Sequence, residues 1–482
     1  MINTSLILLI IVAYFLMLLV IGYFTSKDSN NDAFFRGNKK SPWYIVAIGM
    51  VGSSISGVTY ISVPGMVRNI DMTYMQTVFG FFFGYLVIAH ILLPVYYKLN
   101  LTSIYTYLRG RFGENSYKTG AWFFLLSRTV GAAARLYIVV VILQQLFFDT
   151  YTIPFWATTC VLIFLILCYT LKSGIKTIIW TDAVQTLFLI VSLILIIWQL
   201  TNALDFDFNT LTHTIRENKH ARIFVFDDWH SKQHFLKQFL SGIFITIVMT
   251  GLDQDMMQKN LSIRTLKDAQ KNMKWYGFAF IPVNLLFLSL GILLLVFAEH
   301  QGIVLPEVSD KILPTIAASG YIGDCVLVFF LLGITAASFS SVDSALTALT
   351  TSFCIDILDV EKLDANKSKK MRMKTHIAIA ALFVIIILLF DLSKNQSIID
   401  SIFVIASYTY GPLLGLFSFG LFTKKQIKDK YVAYSCIASP IICFLINEFS
   451  SNFLDYAFGY ELLIINGMLT FLGLIMIQKK LK

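Results

Sequence analysis

Thirteen stretches of mostly apolar residues, each about the length of a bilayer-crossing helix, recur along the chain with short connections between them. They lie at 4–24, 43–67, 72–97, 119–148, 152–171, 176–201, 236–257, 274–298, 318–353, 375–391, 397–422, 431–448 and 459–478. Lipid offers the backbone no hydrogen-bond partner, so such segments must be helices whose polar groups are satisfied internally. Only 14% of the 482 residues are charged, against about 25% in an ordinary soluble domain, and 42 are phenylalanine. A soluble globule cannot hide this much apolar surface, which excludes a cytosolic enzyme and a disordered chain. The expectation is an all-α membrane protein of about 13 transmembrane helices, forming a single integral domain over 1–482.

The basic residues orient it. If sides alternate from one segment to the next, 28 of the 38 Lys and Arg fall on one side and eight on the other, with Arg128 and Arg135 inside a span. The positive-inside bias then puts the N-terminus outside and the C-terminus in the cytoplasm of a cell membrane. Spread between apolar runs, these charges explain the net +9 without nucleic acid. The first segment has no charge between Ile2 and Ser26 and reads as a retained helix rather than a signal peptide. Six cysteines without a CxxC pair read as small buried hydrophobes. The longest connection, about 202–235, holds His213, His220, His230 and His234 at spacings that fit no metal motif, and reads as a solvated loop.

Two segments are interrupted. The second carries Gly49, Gly52, Ser53, Ser54, Ser56, Gly57 and Thr59, then Pro64-Gly65; five segments later, the seventh carries Ser241-Gly242, Thr246 and Thr250-Gly251. Broken helices at corresponding positions of two five-helix halves mark inverted repeats, here 43–201 and 236–422, with a leading helix at 4–24 and trailing helices over 431–478. The ninth segment places Ala337, Ser340, Ser341 and Ser344 on one helical face beside Asp343. Hydroxyls joined to the carbonyls of a broken helix make a hard-oxygen site suited to Na⁺. Arg128, Arg135 and Asp182 are ionisable residues inside spans, each costing at least about 2.5 kcal/mol if it faces lipid. Asp182 either neutralises Arg128 or faces an ion path; Arg135, in mid-helix, can hold a carboxylate through two parallel hydrogen bonds.

Taken together, the Ser-Gly break with Pro64-Gly65, the Trp180-Thr181-Asp182-Ala183-Val184-Gln185 stretch, Gly251-Leu252-Asp253-Gln254 with Gln258-Lys259, the Ala337–Ser344 run and Tyr410-Gly411-Pro412-Leu413-Leu414-Gly415 resemble the sodium:solute symporter family. The resemblance implies the leucine-transporter architecture of inverted repeats, over nearly the whole chain. It implies a sodium site from the carbonyls of Gly52, Ile55 and Ala337 with the hydroxyls of Ser340 and Ser341. A second sodium site, present in some members, would draw on Asp182, Ser340, Asp343 and Ser344, with Asp343 standing where some members carry a hydroxyl. The family's sialic-acid carriers hold their carboxylate on the fourth span. Ser54, Ser56, Thr59, Gln76 and Arg135 occupy matching or near-matching positions, which implies an acidic solute.

The expected function is sodium-coupled import of a small organic acid such as sialic acid by alternating access, with small solute, Na⁺ and membrane lipid as partners and no obligatory protein partner. Each Na⁺ entering down about 100 mV gains about 2.3 kcal/mol, so two Na⁺ per anion is the expectation. A sodium carrier of a monocarboxylate, sugar, amino acid or anion is the alternative, as is a proton-coupled carrier using Asp182 or Asp343. No motif joins nucleophile, base and metal ligand, so an enzyme is not expected.

Overall fold

A computed structural model describes residues 4–26, 30–146, 148–172, 174–320, 322–393, 398–453, 456 and 458–479. Lys27, Lys394, Lys480 and Lys482, counted among the basic residues above, lie outside them. Every apolar segment contains a helix. In chain order these are α1 (Thr4–Thr25), α2 (Trp43–Ser54), α3 (Gly57–Ile70), α4 (Tyr74–Val87), α5 (Glu114–Leu146), α6 (Phe155–Thr170) and α7 (Ile175–Ala203). A short α8 (Phe208–Glu217) precedes α9 (Phe235–Thr246), α10 (Gln254–Leu261), α11 (Leu266–Gln301) and α12 (Asp324–Ser352). The last four are α13 (Ala365–Ser393), α14 (Ile398–Phe422), α15 (Val432–Phe453) and α16 (Leu462–Met476). Among the described residues, seven helices are long and apolar enough to cross a membrane alone. An eighth arises if the pair Phe235–Gly251 and Gln254–Leu261, bent by 65°, is one span.

The two interrupted segments are broken where expected: α2 gives way to α3 within the Ser53–Gly57 stretch, and α9 to α10 just after Thr250-Gly251, while Ser241-Gly242 stays within the helix. Around them, burial sorts the helices. Within its apolar stretch 72% of the span containing α12 is buried, against 28% for α13 and 22% for α15. A helix enclosed on all sides is central, and one with a narrow buried stripe faces lipid. Helix α12 packs against α7, α5, α3 and α2, so the serine stripe sits in the middle of the bundle.

Prolines inside helices remove an N–H and strand the carbonyl four residues earlier, which lipid cannot satisfy. At Pro412 the stranded carbonyl is that of Tyr408. Asn466 of α16 supplies the donor, its Nδ2 lying 2.8 Å from Tyr408 O and 3.1 Å from Ser407 O.

Two sequence expectations need correction. The connection over 202–235 is not simply solvated: Val225 is buried, its N–H donates to Gln76 Oε1 (3.1 Å), and Phe224 stacks on Phe79. The apolar Phe224-Val225-Phe226 run draws the loop onto α4, where its histidines and charges had suggested water. Of the cysteines, Cys354, Cys436 and Cys443 are buried, whereas Cys160, Cys168 and Cys325 are exposed on the bundle's surface. A thiol is apolar enough for a lipid-facing position.

Candidate functional site

Helix α2 ends at Ser54. Ile55 (φ −88°, ψ 86°) and Ser56 (φ −70°, ψ 166°) leave the helical region, and α3 restarts at Gly57 with Ser56 Oγ accepting from the Thr59 N–H. The terminal carbonyls of α2 and the terminal amides of α3 therefore meet at one place. The first end favours cations and the second anions. Glycine lets the break press against its neighbours. A Cβ at Gly52 would collide with Thr186 of α7, and one at Gly57 with Ser338 of α12.

Ser53 joins the break to the serine stripe. Its Oγ lies 3.0 Å from Ser340 Oγ, and its carbonyl accepts from Ser341 Oγ at 3.3 Å. Ser341 also donates to the Ala337 carbonyl (3.1 Å). Among the described residues no group donates to the Ile55 carbonyl. The residues named for the first cation site, Gly52, Ile55, Ala337, Ser340 and Ser341, thus lie on two segments that touch through Ser53. Ser53 itself was missed, although its place next to Gly52 was a usable signal.

Asp182, on α7, is fully buried beside them. Its Oδ1 accepts from Ser340 Oγ (2.8 Å), and its Oδ2 from Ser53 Oγ (3.0 Å), Ser344 Oγ (3.2 Å) and Lys259 Nζ (2.8 Å). Asp182, Ser340 and Ser344 are together, as expected. Asp343 instead accepts from Tyr169 Oη (2.9 Å) and from the Ser344 N–H (2.6 Å). Lys259 is the surprise. One of the 28 basic residues assigned to the cytoplasmic side by the sequence, it is 1% exposed and also donates to Ser53 Oγ at 2.5 Å.

Arg128 does not pair with Asp182. It pairs with Asp255 of α10 and lies 4.0 Å from Asp253 Oδ2, which accepts from Tyr410 Oη at 2.7 Å. Asp253 also caps α10 through the Asp255 N–H. The carbonyls freed at this second break are taken by tyrosines: Tyr96 Oη reaches Gly251 O (2.9 Å) and Tyr105 Oη reaches Leu252 O (3.0 Å).

A cavity of about 220 Å³ opens beside the first break, lined by Ser54, Ser56, Thr59 and Arg135 of the expected substrate residues, with Arg128 and Tyr410 also in its wall. Valine, methionine and phenylalanine side chains supply apolar walls, among them Val58, Met249 and Phe280. Ser54 Oγ is bonded to Tyr276 Oη, which accepts from Tyr85 Oη at 2.7 Å. Arg135 makes no hydrogen bond or ion pair among the described residues. Gln76 stands apart from the other four: it is fully buried, does not line the cavity, and its Nε2 is committed to Gln233 O (2.9 Å) and Thr73 O (3.2 Å).

The family model for the sodium:solute symporter family matches residues 34–429. The chain belongs to the sodium:solute symporter family. It is therefore a sodium-coupled solute symporter and not an enzyme. It is 23% identical to the sodium/sialic acid symporter NanT of Aliivibrio fischeri, over 95% of this chain and 91% of that protein. The sodium/sialic acid symporter SiaT of Proteus mirabilis is 26% identical over 91% of this chain and 88% of its own. A human sodium-coupled monocarboxylate transporter 2 is 25% identical over 51% of this chain and 39% of its own. Among solved structures, the substrate-bound outward-open state of a Na⁺-coupled sialic acid symporter superposes with a TM-score of 0.83 at 20% identity, covering 99% of each chain. Mhp1, a nucleobase-cation-symport-1 transporter, superposes at 0.57 and 13% identity, covering 92% of this chain and 94% of its own. The symporter thus has the fold that the broken segments implied.

Proposed function

We propose that this symporter carries an acidic organic solute, with sialic acid the first candidate, coupled to Na⁺ held where the α2–α3 break meets the α12 stripe. The observation that carries the solute class is Arg135: a guanidinium in the wall of an intramembrane cavity, with no counter-charge bonded to it among the described residues. Such a group is costly to keep in a membrane unless an anion visits it. The N-terminus of α3, facing the same space, favours an anion as well. Ser56 and Thr59 add hydroxyls, and the apolar walls suit the body of a small molecule. The full-length likeness to two sodium/sialic acid symporters supports the choice of sialic acid over other acids.

On this reading Na⁺ binds the carbonyls of Gly52, Ile55 and Ala337 and the hydroxyls of Ser340 and Ser341, fixing α2 against α12. The ordered break then presents Ser54, Ser56 and the α3 amides to the solute, and Arg135 clamps its carboxylate. Rocking of the halves over 43–201 and 236–422 exposes the site to the other side. The N-terminus lies outside the cell membrane and the C-terminus inside, a reading that the distribution of basic residues supports.

Uptake into proteoliposomes tests this, with and without an inward Na⁺ gradient, using sialic acid, short monocarboxylates, proline and glucose. Na⁺-dependent uptake of an acid is expected. Arg135→Ala should abolish it, and Ser340→Ala should raise the Na⁺ concentration needed. Uptake of glucose indifferent to Arg135 would overturn the choice of solute.

A further inference from the structure

Asp182 is a carboxylate already occupied by a cation. Lys259 Nζ lies 2.8 Å from its Oδ2, within the distance at which an alkali ion would have to compete for the same oxygen. Both side chains are 1% exposed, so the ammonium is not a surface charge that folds inward occasionally. Its second bond goes to Ser53 Oγ, and Ser53 in turn touches Ser340. The lysine therefore ties α10, the far half of the seventh span, to the break in the second. The other acid of the set turns its carboxylate elsewhere: Asp343 accepts from Tyr169 Oη and the Ser344 N–H, and the ion pair of Lys259 is with Asp182.

An ammonium and Na⁺ are both compact monovalent cations that seek hard oxygen, and two of them repel strongly where water is excluded. We infer that Lys259 supplies, on a tether, the positive charge that a second Na⁺ would bring to Asp182, so that this symporter binds one Na⁺ per cycle and not two. The inference rests on the proposed sodium site at the α2–α3 break, which stays free for the one ion that is transported. A tethered charge ends each cycle where it began, so Asp182 stays neutralised without drawing on the gradient.

Equilibrium binding of ²²Na⁺ to the purified full-length protein, without solute, counts the ions directly. One Na⁺ per polypeptide is expected for the native chain and for Lys259→Arg, which keeps the charge. Two are expected for Lys259→Met, in which Asp182 is left for an ion to find. A merely structural lysine would change stability but not this count. Two Na⁺ on the native chain would overturn the inference whether or not the methionine variant folds, and so would a count of one on a Lys259→Met protein that elutes as a single species. Absence of Na⁺ binding to the native chain would instead overturn the sodium site at the break, and the inference with it.

Discussion

Lys259 and Asp182 account for each other's burial. Each is a full charge in the middle of an apolar bundle, and the pair, with Ser53, Ser340 and Ser344 donating to the carboxylate, leaves neither unsatisfied. Removing one partner of such a pair strands the other and costs about 3–5 kcal/mol. Asp182→Asn should therefore lower the thermal midpoint in detergent sharply. Adding Lys259→Met to it should recover much of the loss, and a double-mutant cycle measures how much. The sequence exposed one half of this arrangement only. Asp182 and Arg128 interrupt long apolar runs and so declared themselves. Lys259 lies two residues beyond the apolar limit at 257, where a basic residue normally means a surface. Asp253 sat in a family motif and Asp255 was not singled out, and neither gave a sign that Arg128 was its partner. Burial of that stretch depends on the 65° bend, which turns α10 inward and which no local pattern encodes.

The elements show which parts of the fold are written locally. Breaks in the second and seventh segments were legible because Gly and Ser at membrane depth are tolerated only against protein or a cavity. What satisfies the freed backbone was not legible, since the partners come from distant helices: Tyr96 and Tyr105 for the second break, Asn466 for Pro412. The Asn466 contact gives a clean test. Asn466→Ala should destabilise the protein by about 1–3 kcal/mol, the cost of an unpaired buried carbonyl. Pro412→Ala in that background should restore part of it, because the new N–H can reach Tyr408 O within α14. If the two substitutions are additive in thermal unfolding, the asparagine is not serving the proline's missing bond. Gln76 shows the opposite limit. Its position by resemblance was on the solute, yet the apolar Phe224-Val225-Phe226 run pulls the connection over 202–235 across it, and that connection takes its amide.

At the scale of the molecule, stoichiometry and orientation have separate readouts. With one Na⁺ and one monoanion the moving charges cancel, leaving only the Na⁺ concentration ratio as drive; a tenfold ratio is worth about 1.4 kcal/mol, or about tenfold accumulation. A second Na⁺ would add about 2.3 kcal/mol per 100 mV and make uptake electrogenic. Initial rates of monoanion uptake should thus be unchanged by a potential imposed with valinomycin, and an acceleration with an interior-negative potential would point to two ions. Orientation rests on the 28-to-8 asymmetry, which retains its sense with Lys259 removed from the larger group. A cysteine placed at Lys370 in a cysteine-free background should react with a membrane-impermeant maleimide only after cells are opened. Labelling of intact cells would reverse the topology.

The central claim is that an alkali ion sits between the carbonyls at Gly52 and Ile55 and the hydroxyls of Ser340 and Ser341. Titration of ²²Na⁺ onto the native protein and onto Ser341→Ala tests it most directly, since the substitution removes one ligand and leaves Asp182, Lys259 and Arg135 in place. We expect saturable binding to the native chain, weakened on the order of tenfold in the variant, a loss of about 1.4 kcal/mol. Equal affinity in the two proteins would contradict it.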